Sequence, residues 1–356
     1  MKKIIIIICI FILSGCSDYV EINDLGLITG ISIDYKDNLY ELTTQIIEND
    51  KEIKVIVLNS KSNSIDEAIS EISKLTNKEL FISHLKVLIL SERLIESNKN
   101  YYDYFLRSSK SKLNFYTYIA PNDEISDIFK IYSDKNSSSI YLDKMMDFNQ
   151  NIFSSSTPLK FIDMVHDKYE YGINIVYPTI TIKRNNNEKT LYLSNLVSFN
   201  NNLDKLSLTE NNSIFYNILT NKSERTTLDI PCDNNYFTIE IQDIKTNFNF
   251  KNDTFIINTK SLAKIKEYNC KYNLNKINTI NKLNKLANQY IKENINDLII
   301  KMKNNNNDLI GIGNYIYKHN KNYFDFENDD WDNHLKDIDI KINSNTKINS
   351  SGEIRK

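Results

Sequence analysis

The chain is short of the residues that most often announce chemistry. Glycine occurs only seven times and proline four. Gly311 and Gly313 form a pair, but no lysine-serine follows, so a phosphate-cradling loop is not supported. They read instead as a tight backbone approach after a helix. Histidine occurs four times, at positions 84, 166, 319 and 334, too scattered for zinc-ligand spacing. His84 follows Ser83, yet neighbours on a strand point to opposite faces, and a nucleophile–base pair also needs a third orienting group. Cysteine occurs four times and never as CxxC. No catalytic set, metal site or cofactor site is expected. Lysine plus arginine number 44 against 46 acidic side chains, a net charge of −2. No basic face is large enough to imply a nucleic-acid partner.

Long apolar runs are missing too. The unbroken run from Ile4 to Leu13 is half the length of about 20 residues that a membrane-crossing helix needs. It follows Lys2 and Lys3 and precedes Ser14-Gly15-Cys16. A positive start, a short apolar core and small residues before a cleavage point make a signal peptide. Leu13-Ser14-Gly15-Cys16 matches the bacterial lipobox. Cleavage is expected between Gly15 and Cys16, and the Cys16 thiol is the group that takes diacylglycerol, with acylation of the new N-terminus. Removing Lys2 and Lys3 leaves 42 basic against 46 acidic groups. Two acyl chains hold a protein stably where one binds marginally, at about 0.8 kcal/mol per buried CH₂. Almost no linker follows. Seven or eight extended residues reach only about 25 Å, so the first domain is expected close to the bilayer. Asp18 and Glu21 read as solvated linker, with a basic partner surface as the competing reading. Cys9 leaves with the leader, so Cys232 and Cys270 remain. They could pair outside the cell, but without a cysteine framework they are expected to stay free and buried.

Beyond the leader, strands and helices alternate. Ile31–Asp34, Leu39–Ile47 and Ile53–Leu58 read as strands with turns at Asp37-Asn38 and Asn49-Asp50. Ser64 and Glu67 form a capping box ahead of an apolar face at Ile65, Ala68, Ile69, Ile72 and Leu75. Val87–Leu90 and Phe115–Ala120 read as strands, and Tyr101–Leu106 as helical. Asn122 or Asp123 caps a helix expected to run through Tyr132. Serines near 137–139 and 154–156 suggest a looser region. Pro158–Tyr169 reads as a helix. Pro178 puts the strand Ile173–Ile182 at an edge or a bend. Leu191–Phe199 and Leu203–Leu208 suggest a hairpin. Strands over Phe237–Ile241, Ile244–Phe250 and Thr254–Ile265 precede the longest helix, whose face runs from Ile280 to Met302. Trp331 with Phe324 and Phe326 reads as a local core cluster, with an interface anchor as the rival. Ile338–Ile342 is a closing strand. The fold class is α+β, or mixed α/β: three small domains of mixed sheets with packed helices after the signal peptide. The segments are 1–15 (leader), 16–185, 186–235 (a small β-rich module) and 236–356.

Both ends of the chain resemble one family. Gly15-Cys16, Asp18, Glu21-Ile22-Asn23, Leu25, Ile28-Thr29-Gly30-Ile31 and Ile33-Asp34 look like the mature start of the Ger(x)C lipoproteins. These are the C subunits of spore germinant receptors. Ser17, Gly26 and Ser32 depart from the family's Trp, Ala and Gly. Asp308-Leu309-Ile310-Gly311-Ile312-Gly313, then Trp331 and a final strand with Gly352, are similar to its C-terminal D-x-x-G-x-G, W and strand. The resemblance implies a non-catalytic subunit of a nutrient-sensing complex, anchored through Cys16. It also implies integral membrane partners of the A and B type and a place on the outer face of the spore inner membrane. A lipid-anchored solute-binding protein is the alternative. It usually needs two lobes and a hinge, which the small middle module does not suit. A surface-anchored hydrolase would need the catalytic set that is missing.

Overall fold

The computed structural model describes residues 24–49, 52–132, 137–152, 155–185, 188–274 and 276–350. Gly15, Cys16, Asp18, Glu21 and Gly352 lie outside the described residues.

Strands β1 (Leu25–Lys36), β2 (Leu39–Asn49) and β3 (Ile53–Ser62) form an antiparallel meander. Asp37 and Asn38 turn the first hairpin at φ 53° and 62°, the two-residue geometry that matches strand twist. Helix α1 (Ile65–Ser73) starts where the Ser64 hydroxyl accepts the Glu67 N–H at 3.2 Å. Its Ile65, Ala68 and Ile72 are buried. Then follow β4 (Glu79–Phe81), β5 (Val87–Ser91), α2 (Glu92–Glu96), α3 (Tyr102–Arg107) and β6 (Tyr116–Ala120). Helices α4 (Ser138–Ile152) and α5 (Phe161–Tyr169) precede β7 (Val176–Asn185), β8 (Glu188–Phe199) and β9 (Lys205–Ser207). These strands make one mixed sheet in the order β3-β2-β1-β5-β6-β7-β8-β9, with β4 also paired to β1. The β1–β5–β6 centre is parallel. Parallel strands are covered on both faces, and the period of two sorts their side chains. Leu88, Leu90 and Ile119 meet α1, α2 and α5 on one face. Val87, Ile89, Tyr116 and Tyr118 meet Phe129, Leu142 and Met146 on the other.

The second sheet follows α6 (Glu210–Leu219). It holds β10 (Arg225–Cys232), β11 (Asn235–Lys251), β12 (Thr254–Tyr268) and, after three helices, β13 (Asp339–Ser350), in that order. The helices are α7 (Ile277–Asn304), α8 (Ile312–His319) and α9 (Trp331–His334). The apolar face of α7, from Leu283 through Ala287, Ile291, Ile295 and Leu298 to Met302, is buried against this sheet. Two asparagines on α7 reach the edge strand β13. Asn288 accepts the Thr346 N–H at 2.7 Å and donates to its carbonyl at 2.9 Å, and Asn284 accepts the Ile348 N–H at 2.9 Å. The class is α+β with mixed sheets, as the sequence suggested. Among the described residues no helix is long and apolar enough to cross a membrane.

Several local expectations change. Cys232 and Cys270 form a disulfide rather than free thiols, with Cα atoms 5.9 Å apart. The β10–β11 hairpin and the end of β12 bring them together, where the Asn269 N–H bonds the Tyr236 carbonyl at 3.1 Å. No spacing rule in sequence carries that register. The helix expected from Asn122 to Tyr132 is a run of turns with one 3₁₀ turn at Ile128–Lys130. Asn122 caps another helix instead, accepting the Arg93 N–H at 3.0 Å, and Ile125, Ile128 and Phe129 all point inward. The supposedly loose region holds α4, seated by Leu142 and Met146 one turn apart. Pro178 sits at a register shift between β7 and β8, so the bend applies and not the edge. The runs Phe237–Ile241 and Ile244–Phe250 are one strand, β11, with a bulge between Gln242 and Lys245.

Candidate functional site

Two motifs carried the sequence reading, and each is now a set of contacts. In the first, Thr29, Gly30 and Asp34 lie along β1. Gly30 leaves room for Phe129, since a Cβ there would stand 2.6 Å from its ring. The Thr29 hydroxyl takes a hydrogen bond from Ser139 at 2.8 Å. Beside them the buried Gln45 amide donates to the Phe129 carbonyl at 3.0 Å and accepts from the Ser139 N–H at 2.9 Å and the Ser137 hydroxyl at 2.7 Å. This network fixes the start of α4 on the sheet. Asp34 ends the motif in a two-point pair with Arg93, through Nε at 2.7 Å and a second bond from the other guanidinium arm. Burial raises the Asp34 carboxyl, but bonds from Arg93, Ser91 and the Tyr35 N–H outweigh it and hold the acid below its ordinary value.

The second motif closes a clasp between the two sheets. After α7 the chain turns at Asn306, φ 48°, and Asp308 is fully buried. Its carboxylate accepts from Ile312 N–H at 2.9 Å, Gly313 N–H at 2.8 Å and Trp331 Nε1 at 2.9 Å. Burial is the larger effect and pushes the acid from 3.8 up to about 6, with the three donors and nearby Asp332 acting as smaller influences. Gly311 supplies the left-handed residue before α8, at φ 71°. Gly313 has no room for a side chain: a Cβ would lie 2.4 Å from Trp331 and 2.7 Å from the Gly172 Cα.

Gly172, Asn174 and their neighbours reach in from the segment before β7. Asn174 N–H bonds the Asp308 carbonyl at 2.9 Å, its side chain takes the Asp308 N–H at 2.5 Å, and the Asn314 N–H bonds the Gly172 carbonyl at 2.9 Å. From β8 and the β8–β9 turn, Ser198 donates to Asn307 at 3.0 Å and the Asn201 N–H bonds Asp332 at 3.0 Å. Burial raises the Asp332 acid as well. Three of the chain's seven glycines thus meet at one point. Trp331 is buried with Phe324 and Phe326 around it, 5.4 and 5.1 Å between ring centres, so it belongs to the core.

The other singled-out residues stay apart. His84 is exposed on a single 3₁₀ turn, and Ser83 bonds the Lys110 carbonyl. His166 contacts Asp167 and Glu170, His319 stacks on Tyr315 and His334 on Phe324. Among the described residues no group of three His, Cys, Asp or Glu side chains could hold a metal ion. An open cleft of about 730 Å³ is lined by Tyr40, Ser64, Asp66, Asp103, Tyr104 and Arg107. Its guanidinium is exposed and engaged by Asp103 at 2.7 Å. Sequence reasoning missed Gly172, Asn174, Gln45 and Arg93. Only Gly172 carried a signal, its rarity.

Comparison with known proteins matches this layout. Residues 18–182 match the model for the spore germination protein N-terminal domain. Residues 194–352 match the spore germination B3/GerAC-like C-terminal model. Spore germination protein KC of Bacillus subtilis (strain 168) is 22% identical over 396 aligned residues, covering 99% of this chain and 96% of that protein. Spore germination protein A3 of the same organism is 30% identical over 141 residues, about a third of each chain (35% and 36%). The crystal structure of the GerBC protein superimposes with a TM-score of 0.57 at 15% identity, over 90% of this chain and 97% of that one, which establishes a shared fold. The clasp joins residues of the first matched segment, Gly172 and Asn174, to residues of the second, Asp308, Gly313 and Trp331. With both family domains present in order, the chain belongs to the Ger(x)C family of spore germination proteins.

Proposed function

We propose that this chain is the lipid-anchored, non-catalytic subunit of a nutrient germinant receptor. It works beside integral membrane subunits on the outer face of the spore inner membrane. The observation that carries the reading is the ordered pair of spore germination domains filling nearly the whole chain behind a lipobox cysteine. The Cys16 thiolate takes the diacylglycerol, and two or more acyl chains then hold the protein on the bilayer. The side chains described above hold the chain's own parts together: Asp308, Gln45 and Asp34 are all committed to internal partners. That suits a rigid structural subunit better than a hydrolase.

Deletion of the gene tests the complex role. Purified spores given each nutrient germinant in turn should lose dipicolinate release with at least one of them. Normal release with every germinant, in a strain stripped of related receptors, would refute it. Cys16→Ala tests the anchor. The variant should leave the membrane fraction, and unchanged fractionation would place the attachment elsewhere.

A further inference from the structure

We infer that the end of the first sheet carrying the start of β1 rests on the lipid bilayer, dipping Ile53 and Leu75 into its interface. The inference builds on the anchoring of Cys16 proposed above. Residues 17–23 are all that separate that cysteine from Asp24. Fully extended, a tether of this length spans about 25 Å. β1 begins at the next residue, Leu25. Whichever way the tether runs, the start of β1 stays within about 25 Å of the anchored cysteine, and the faces around it are the ones within easiest reach of the lipid.

The residues gathered at that end are set by strand register. Gly26 lies opposite Glu48, Glu48 opposite Lys54, and Asn49 opposite Ile53. β3 is two strands from β1, about 10 Å at the usual spacing of 4.7–4.9 Å. On the other side Leu25 pairs with Glu79. Thr76 donates to the Glu48 carboxylate at 3.1 Å, which brings the segment after α1 to the same end. Leu75, next to Thr76, is 60% exposed, and Ile53 is 64% exposed. Two aliphatic side chains therefore stand uncovered beside the tethered strand. At the far end of β1 the exposed residues are Lys36, Asp37 and Asn38.

Charge does not explain the face. Exposed Lys54, Lys74 and Lys110 and half-buried Lys78 stand among Asp24, Glu52, Glu71 and Glu79, four of each sign, with Lys74 and Glu71 paired at 2.6 Å and Lys110 and Glu79 at 3.7 Å. An electrically balanced rim around aliphatic tips suits the bilayer interface itself rather than anionic headgroups. Contact should then be insensitive to anionic lipid and to salt.

In the processed chain Cys232 and Cys270 are bonded and Cys16 carries lipid, so an introduced cysteine is a unique label site. The acylated full chain would carry Ile53→Cys, Leu75→Cys or Lys36→Cys, each labelled with an environment-sensitive fluorophore. Each is placed in phosphatidylcholine vesicles, with and without phosphatidylglycerol, containing a nitroxide-bearing lipid. Position 36 lies eleven residues along β1 from Leu25, about 36 Å at 3.3 Å per residue. The expected result is strong fluorescence loss at 53 and 75 and little at 36, alike in both lipid mixtures. Equal loss at all three positions, or no loss at 53 and 75, overturns the inference when mass spectrometry shows Cys16 acylated. A bare Cys16 thiol would overturn the anchoring reading first. If 53 and 75 become shielded only when integral membrane subunits are added, the face docks protein and the inference also falls.

Discussion

Asp308→Asn tests the chemistry of the clasp most directly. The wild-type carboxyl is buried, its three donors are neutral N–H groups, and burial lifts it from 3.8 to about 6. The native state therefore holds the proton more tightly than the unfolded chain does. Stability from this group is fully present below about pH 4, falls as pH rises toward 6, and levels above it. A window of about two pH units at 1.36 kcal/mol each amounts to about 3 kcal/mol. Asparagine cannot titrate and keeps the shape of the uncharged acid, although its amide carries two N–H donors where the acid carries one O–H, a cost that does not vary with pH. The stability difference, wild type minus variant, should shrink by about 3 kcal/mol between pH 4 and pH 7. Asp332, raised in the same direction, is present in both proteins and largely cancels. Urea unfolding followed through the single tryptophan reads this out, since Trp331 donates to Asp308 itself. Parallel pH profiles for the two proteins would refute the reasoning. They would mean that the three donors keep the acid near its ordinary value despite burial.

Other perturbations probe separate parts of the fold. Gly313→Ala puts a methyl group against the Trp331 ring and the Gly172 backbone, neither of which can rotate away, so a loss of about 3 kcal/mol is expected in urea unfolding. A wild-type midpoint would show that the clasp is loose. Reducing Cys232–Cys270, or replacing both by serine, opens a 38-residue loop and should cost about 4 kcal/mol. An unchanged midpoint with and without reductant would contradict that. Gln45→Leu strips the Phe129 carbonyl and the Ser139 N–H of their partner, at about 2–4 kcal/mol. The Ser139 amide should then exchange with solvent faster than in the wild type, and unchanged protection would place the hold on α4 elsewhere.

How much was legible in sequence follows from what each signal encodes. The long apolar stripe of α7 and the hairpin at Asp37-Asn38 are local patterns, and both are present. Asn122 is a good helix starter by residue type, but its partner is Arg93, 29 positions earlier, and no local rule sees that. α4 was hidden because serines that normally break structure are here tied to Gln45, more than 90 positions away. The C-terminal motif was visible as letters, and its meaning was not. Gly313 is glycine because of Trp331 and Gly172, which only the folded chain brings to it. The cysteine pair failed in the same way, since β-register sets its geometry.

The amides of Asn284 and Asn288 have a consequence for how this protein can associate. β13 ends its sheet, and a bare terminal strand invites another polypeptide to add to the ladder. Here the amide hydrogens of Thr346 and Ile348 and the carbonyl of Thr346 are already occupied by α7. An arriving backbone therefore finds the Thr346–Ile348 stretch of that border already taken, and a ladder begun earlier on β13 could not be carried through it.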